Sequence, residues 1–356
     1  MASDTETSAL RRAVALSVRA LGSTSPNPPV GAVVLDAAGQ VVGEGWTRPP
    51  GGPHAEVVAL EQAGPRAAGG TAVVTLEPCR HIGRTGPCTT ALLEAGIARV
   101  VTACTDPTGP AGGGAAVLRS AGVEVETGVL AEEVARGPLE AWLVSRALGR
   151  PFVTWKYAAT LDGRSAAADG TSRWITSAAS RQDVHRLRGE VDAVLAGVGT
   201  VLADDPLLDT RPDPGHQPLR VIIDTRARTP PTARALAGDA PALVVTGPLL
   251  DDPGYRHHRA VGCSDGRVDL GELLALLQAQ YDVVSALLEG GPTLAGGFVA
   301  QGLVDRVVGY VAPALLGNGP AALGDVGAGT ISAAHRLRLD DVTRTGDDVR
   351  LTMRRT

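Results

Sequence analysis

Short apolar runs alternate with amphipathic stretches along most of the chain. Val30–Leu35 and Val41–Glu44 read as strands joined by a turn at Gly39. His54–Gln62 has helical spacing and Pro53 at its start. Ala72–Leu76 reads as a strand that ends at the Glu77-Pro78-Cys79 corner, and Cys88 opens a helix running to Ala95. Arg99–Ala103 is a predicted strand, Gly112–Ala121 a helix and Val123–Glu126 a strand. An amphipathic helix, Ser8–Leu21, precedes them, and a single helix, Val129–Leu148, follows. Gly149-Arg150-Pro151 breaks that helix, so the domain boundary is placed there, giving domains 1–149 and 150–356. The second series has strands at Phe152–Ala158, Ala193–Ala196, Leu219–Ile223, Ala242–Val245 and Val283–Leu288. Helices are predicted at Ser177–Arg188 and Leu270–Gln280, and a terminal hairpin, Leu337–Thr343 with Val349–Met353, turns around Gly346-Asp347. Proline clusters at Arg211–Pro218 and Thr229–Pro231 read as loops. The fold class is α/β in both halves.

Composition narrows the picture. A chain of 356 residues is long enough for two domains. Hydrophobic residues make up 44% but aromatics only 3%, so the core must be built from Val, Leu, Ile and Ala, which suits buried parallel strands. A net charge of −5, with both signs dispersed, gives neither a nucleic-acid stripe nor a membrane-binding face. No apolar run reaches about 18 residues. The N-terminal segment lacks a continuous apolar centre, and Asp4 and Glu6 argue against a transit peptide. Four cysteines without a secretory segment point to a reducing cytoplasm.

His54-Ala55-Glu56 is followed by Pro78-Cys79 and, after eight intervening residues, Cys88. One imidazole and two thiolates make a three-ligand zinc site whose fourth position is open to water. Zinc lowers the pKa of such a water to about 7. Glu56 is too close to His54 to serve as a second ligand and is placed to carry protons, the H-x-E…P-C…C arrangement of cytidine-deaminase zinc sites. The common spacing in that class is P-C-x-x-C, and this loop is longer. Cys104, Cys263 and His257-His258 read as core or loop residues.

Of 33 basic residues, only Lys156 is a lysine. A compact amine with three rotatable donors and an adjustable pKa does work that a guanidinium cannot. Val283–Leu288 runs into Glu289-Gly290-Gly291-Pro292-Thr293 and a helix, a turn that reads either as a phosphate cradle or as a plain tight turn. Gly197-Val198-Gly199-Thr200 also follows a strand. Asp204-Asp205-Pro206 reads either as a turn or as the source of a carboxylate partner for Lys156. Arg188 and Arg211 are candidate phosphate ligands. No G-x-G-x-x-G pattern sits in a suitable context.

Taken together, these strings resemble the bifunctional deaminase–reductase family of riboflavin biosynthesis, over nearly the whole chain. The matching residues are Pro26–Gly31, Pro53–Glu56, Thr75–Cys79, His81, Gly83-Arg84-Thr85 and Pro87-Cys88 in the first half. In the second half they are Lys156, Leu161–Arg164, Ser172, Trp174–Thr176, Thr200–Pro206 and Glu289–Gly296. The family's zinc loop has the long cysteine spacing found here. The resemblance implies a cytidine-deaminase-like α/β/α domain followed by a dihydrofolate-reductase-like α/β domain. It implies zinc on His54, Cys79 and Cys88, with Glu56 as acid/base and Asn27 on the pyrimidinone. It implies NADPH contacts at Ala158, Trp174, Thr200, Asp204 and the turn Gly291, Pro292, Thr293, Leu294, Ala295, Gly296 and Gly297. Substrate contacts fall on Ser172, Arg188, Leu208, Arg211 and Glu289, with Lys156 and Asp204 as the pair implicated in reduction. The implied reactions are hydrolytic removal of an amino group from a diaminopyrimidinone ribosylamine phosphate, then reduction of its ribose to a ribityl chain. The expected partners are phosphorylated pyrimidines and further copies of the chain, as a dimer or tetramer. Trp46-Thr47, Pro50, Arg80 and Ile82 depart from the family pattern. A deaminase with a degenerate second half and a reductase with a structural zinc are the rival readings. A fourth protein ligand would mark the zinc as structural.

Overall fold

The computed structural model describes residues 1–82, 86–211, 216–248 and 254–355. Gly83-Arg84-Thr85 of the zinc loop, and part of the Arg211–Pro218 loop, lie outside the described residues. The chain divides into two compact units, Met1–Gly149 and Arg150–Thr356.

In the first unit, α1 (Asp4–Ser17) is followed by β1 (Gly31–Leu35), β2 (Val41–Trp46) and α2 (Ala55–Ala63). Then come β3 (Thr71–Leu76), α3 (Cys88–Glu94), β4 (Arg99–Cys104), α4 (Gly114–Ser120), β5 (Glu124–Thr127), α5 (Ala131–Ala135) and α6 (Glu140–Leu148). The sheet order is β2-β1-β3-β4-β5, antiparallel across β2, β1 and β3 and parallel from β3 to β5. Every residue of β1 is buried, as expected of a strand covered on both faces. Close packing of helix on sheet depends on small residues: a Cβ at Gly45 would lie 2.2 Å from the Ala55 carbonyl, so the first turn of α2 rests directly on β2.

Two sequence expectations are corrected here. Helix α1 starts at Asp4, four residues before Ser8, because Ser3 and Glu6 form a reciprocal capping box. The predicted helix Val129–Leu148 is two helices, α5 and α6. Gly137-Pro138 separates them: the proline has no N–H to donate and disfavours helical backbone at the residue before it.

The second unit begins with β6 (Phe152–Thr160), α7 (Ala178–Gly189), β7 (Ala193–Gly197), α8 (Val198–Asp204), β8 (Leu219–Ile223) and β9 (Ala242–Thr246). It continues with β10 (His258–Ala260), β11 (Cys263–Ser264), β12 (Arg267–Val268), α9 (Leu270–Tyr281), β13 (Ser285–Leu288), α10 (Pro292–Ala300), β14 (Arg306–Ala312), β15 (Leu337–Thr345) and β16 (Asp348–Arg355). The large sheet runs β10-β9-β8-β7-β13-β6-β14-β16-β15. It is parallel from β10 to β14 and closes with the antiparallel β16–β15 hairpin. Strand β14, absent from the sequence reading, lies beside β6 near the centre of the sheet. One core packs Val153, Leu195, Val221, Leu273, Leu277, Leu288 and Phe298 between the sheet and helices α9 and α10. Parallel strands leave their carboxyl ends on one edge, where open α/β sheets hold ligands.

Candidate active sites

In the first unit, three segments converge. His54 is the N-cap residue of α2, Cys88 is the first residue of α3, and Cys79 lies just past the end of β3. The corner that carries Cys79 is held from below. The buried Glu77 carboxylate accepts the Ala115 N–H at 2.9 Å and the Asp106 N–H at 3.2 Å. Gly114, opening α4, sits where any Cβ would meet the Pro78 carbonyl at 1.8 Å. Glu77 carries no role expected from the sequence. Its signal is a carboxylate beside Pro78 in a strand-end corner that needs backbone donors satisfied.

His54 Nδ1 lies 3.2 Å from Cys88 Sγ and 3.6 Å from Cys79 Sγ. The three ligand atoms all fall within 4.8 Å of one another, and both cysteines are free thiols. A tetrahedral zinc with ordinary bond lengths would separate a nitrogen and a sulfur ligand by about 3.6 Å, so the donor set fits that ion. No fourth protein ligand joins the cluster among the described residues. The Cys88 N–H donates to Cys79 Sγ at 3.4 Å, which brings the positive end of α3 onto the sulfur. The Cys79 thiol is pulled well below its usual range by the hydrogen bond from Cys88 and further by His54. Cys88 is raised correspondingly, and His54 is raised by its bond to Cys79. Glu56 is 5% exposed, and burial pushes its carboxyl above the usual range although His54 opposes the shift. A carboxyl moved toward neutrality can both take and return a proton at neutral pH.

Three of the departures from the family pattern, Trp46, Thr47 and Arg80, make local contacts. Thr47 is buried, and its Oγ1 accepts the Val30 N–H at 3.0 Å, fixing the entry to β1. The Arg48 guanidinium stacks 3.9 Å from the Trp46 ring centre. Arg80 donates to the Gly109 carbonyl, and Ile82 is exposed. Asn27 lies half-buried in the loop entering β1, its N–H donating to the Thr24 carbonyl.

In the second unit, the strand register builds the site. Leu288 of β13 pairs with Trp155 of β6, so the next residues along, Glu289 and Lys156, are neighbours. Lys156 Nζ lies 3.4 Å from Glu289 Oε2. Arg188 grips the same carboxylate with Nε at 2.5 Å and Nη2 at 3.0 Å. The carboxylate beside the amine is Glu289, while Asp204, the other member of the pair implicated in reduction, faces Arg173 at 3.8 Å and accepts from Ser172 Oγ at 3.5 Å. The reason is topological. Glu289 leaves the strand adjacent to β6, whereas Asp204 ends α8, beyond β7. Burial alone would push the Glu289 carboxyl up, but Arg188 and Lys156 override it and bring it down to about 2.

A depressed carboxyl contributes stability that is present above its unfolded value and lost as pH falls toward the folded one. The second unit is therefore expected to lose about 3 kcal/mol between pH 4.5 and pH 2 on account of Glu289. Glu289→Gln should flatten that part of the stability–pH curve measured by denaturant unfolding. An unchanged slope in the variant would refute the assignment.

A cleft of about 1370 Å³ opens over the carboxyl ends of these strands. Its walls include Lys156, Ala158, Ser172, Trp174 and Thr200. Asp204, Leu208, Arg211 and Glu289 line it as well, together with Gly291, Pro292, Thr293, Leu294 and Gly297. Arg181, Val184, His185 and Arg188, spaced along one face of α7, complete a side wall. Ala295 and Gly296 are not lining residues: Ala295 is fully buried, and a Cβ at Gly296 would meet the Asp325 carbonyl at 2.5 Å. Gly291 is the N-cap residue of α10, and no side chain caps that helix start. Thr225, Arg228, Arg234, Arg267 and Tyr310 line the cleft too, without being expected from the sequence. They come from the turn after β8, a short 3-10 helix at Arg234–Leu236, β12 and β14, where no local motif marks them.

A zinc-type His/Cys/Cys centre with a buried acid, and a separate cleft over parallel strand ends, define a two-activity enzyme: a zinc deaminase joined to a pyridine-nucleotide reductase. The family model described as the cytidine and deoxycytidylate deaminase zinc-binding region matches residues 3–104, and the RibD C-terminal domain matches residues 151–351. The chain is 48% identical over 349 residues to the riboflavin biosynthesis protein RibD of Mycobacterium tuberculosis, covering 97% of this chain and 96% of that one. It is 38% identical to that of Escherichia coli, covering 96% of each. Among solved structures, Acinetobacter baumannii RibD superposes with a TM-score of 0.90 at 39% identity, covering 99% of both chains. The Thermotoga maritima diaminohydroxyphosphoribosylaminopyrimidine deaminase/5-amino-6-(5-phosphoribosylamino)uracil reductase does so with 0.90 at 35%, again over 99% of both. The chain belongs to the RibD family of bifunctional riboflavin-biosynthesis deaminase–reductases. Among the described residues, no helix is long and apolar enough to cross a membrane.

Proposed function

We propose that the first unit deaminates 2,5-diamino-6-(5-phosphoribosylamino)pyrimidin-4(3H)-one and that the second reduces the resulting aminouracil's ribosyl group to ribityl with NADPH. The observation that carries this reading is the closed His54–Cys79–Cys88 triangle with the buried Glu56 beside it. Zinc held by those three side chains supplies the acidity that makes a water molecule nucleophilic at neutral pH. Glu56 accepts the proton released from water and returns it to the departing nitrogen, so water enters and ammonia leaves with protons in balance. Asn27 holds the pyrimidinone edge.

In the second unit, NADPH supplies the hydride equivalent to the sugar's C1 in its open, imine-like form. Ala158, Trp174, Thr200, Asp204, Gly291, Pro292, Thr293, Leu294 and Gly297, which line the cleft, contact the dinucleotide, and Ser172, Arg188, Leu208, Arg211 and Glu289 hold the phosphorylated substrate. Lys156, fixed by Glu289, gives a proton to the nitrogen or stabilises its charge as the bond order changes. Cytoplasmic residence fits a site that needs two reduced cysteines. Assembly as a homo-oligomer is supported by the edge strand β15, which exposes Leu337, Leu339 and Val342.

The test is incubation with the diaminopyrimidinone, with and without NADPH, reading products by mass. Without NADPH the product should carry oxygen in place of one amino group. With it, two further hydrogens should appear. Loss of ammonia that required NADPH would contradict two independent sites.

A further inference from the structure

We propose that Asp183 is a positioning residue of the reductase: clamped by Tyr310 and Arg350, it fixes the rotation of α7 and so sets Arg188 and, through Glu289, Lys156 in the cleft. The proposal rests on the reading that this cleft carries out the NADPH-dependent reduction. Helix α7 forms a side wall of the cleft with Arg181, Val184, His185 and Arg188. Its underside is apolar: Val184 packs on Val308 and Tyr310 of β14, with Ala158 and Leu187 against them. Apolar contact is non-directional, so it seats a helix on a sheet without fixing rotation about the helix axis. Charge-assisted hydrogen bonds are directional and can fix it.

Two such clamps flank β6, the strand that carries Lys156, in the order β13-β6-β14-β16. On one side is the grip of Arg188 on Glu289, which follows β13. On the other, Asp183 Oδ2 accepts the Tyr310 hydroxyl at 2.6 Å and faces Arg350 Nη1 at 3.1 Å. Tyr310 and Arg350 are cross-strand partners on β14 and β16. The other oxygen, Oδ1, accepts from Arg186 Nε at 2.9 Å and Nη2 at 2.7 Å. Asp183 and Arg188 are five residues apart, which places them about 7.5 Å along the helix axis and about 140° around it. Gripped at both positions, α7 can neither roll nor slide without breaking a bond to a charged group.

The strand register ties the clamp to the reacting amine. Val308 pairs with Lys156 and Tyr310 with Ala158, so the phenol is anchored one pleat repeat beyond Lys156 on the same face. Tyr310 is completely buried, and burial raises its phenol far above the ordinary value, so it remains a donor at neutral pH. Burial alone would raise the Asp183 carboxyl as well, but Tyr310, Arg186 and Arg350 hold it below its ordinary value, and it remains an anion. The Tyr310 hydroxyl is spent on Asp183, so the pair supplies geometry and not a proton. A misplacement of about 1 Å in a group that orients the reacting centre costs about a hundredfold in rate. A roll of α7 on that scale would draw Arg188 off the carboxylate that fixes Lys156.

The test is steady-state NADPH oxidation by the full chain supplied with the deaminated intermediate. Tyr310→Phe keeps the buried ring and removes only the hydroxyl that holds Asp183. It should lower kcat by about tenfold or more and raise the KM for the intermediate, with the dissociation constant of NADPH within about twofold of wild type. The retained NADPH affinity shows that the second unit is folded. Arg188→Lys keeps the charge, breaks the fork on Glu289 and should lower kcat as well. Adding Tyr310→Phe to Arg188→Lys should then cost little more, because the helix no longer has a fork to position. A wild-type kcat in Tyr310→Phe overturns the clamp. So does a loss of NADPH affinity in step with kcat, which would make the hydroxyl a support of the whole fold. Effects of the two substitutions that simply multiply also overturn it, since Tyr310 and Asp183 would then not act through Arg188. A wild-type chain that binds NADPH but does not oxidise it with the intermediate overturns the reading of the cleft and the clamp with it.

Discussion

Glu56→Gln is expected to lower ammonia release by about a hundredfold to ten-thousandfold while one zinc per chain is retained. The amide matches the carboxyl in size, and the site is buried, so the fold loses little volume or packing. The metal ligands are His54, Cys79 and Cys88, none of which is touched. What disappears is a group able to take a proton from water and deliver it to nitrogen. The NADPH-dependent step, supplied with the deaminated intermediate, should proceed at the wild-type rate. Metal content by atomic absorption and ammonia by a coupled assay read the two effects separately. A Glu56→Gln variant that deaminates normally would remove Glu56 from the chemistry. One that loses its zinc would make it a structural support of the ligands.

Lys156→Arg is expected to slow NADPH oxidation by about a hundredfold or more with little change in stability. The positive charge facing Glu289 survives the change, so the buried carboxylate keeps its second cation beside Arg188. The guanidinium cannot release a proton near neutral pH, and its planar fork cannot occupy the space of an ammonium. NADPH binding by calorimetry should stay near the wild-type value, and deamination should be untouched. Wild-type turnover in this variant would leave the amine without a chemical role and reduce it to a counter-ion.

The first site was legible because its chemistry is local: His54 and Glu56 share one helical turn, and Cys79 and Cys88 flank one loop. Sequence spacing then stands in for distance. Most strands of both sheets were legible for a similar reason, since Val- and Leu-rich runs flanked by glycines mark buried parallel strands. Strand β14, Arg306–Ala312, is just such a run and was locally legible too; only its place beside β6, a strand far earlier in the chain, is a property of the whole sheet. The Lys156–Glu289 pair depends on which strand lies next to β6, and strand order is a property of the whole sheet. Asp204 was expected with Lys156 from the family resemblance, since its acidic motif alone reads equally as a turn. Arg228, Arg234 and Arg267, which line the cleft, carry no such mark, being three among many in a chain that uses arginine almost everywhere.

The solitary side-chain amine has a practical consequence. Reagents that acylate or reductively alkylate primary amines have only the α-amine and Lys156 to choose between, and Lys156 is largely shielded within its cleft. Gentle coupling chemistry should therefore leave the cleft unmodified. An aldehyde-bearing probe shaped for the cleft would report on one occupied pocket without any engineered handle.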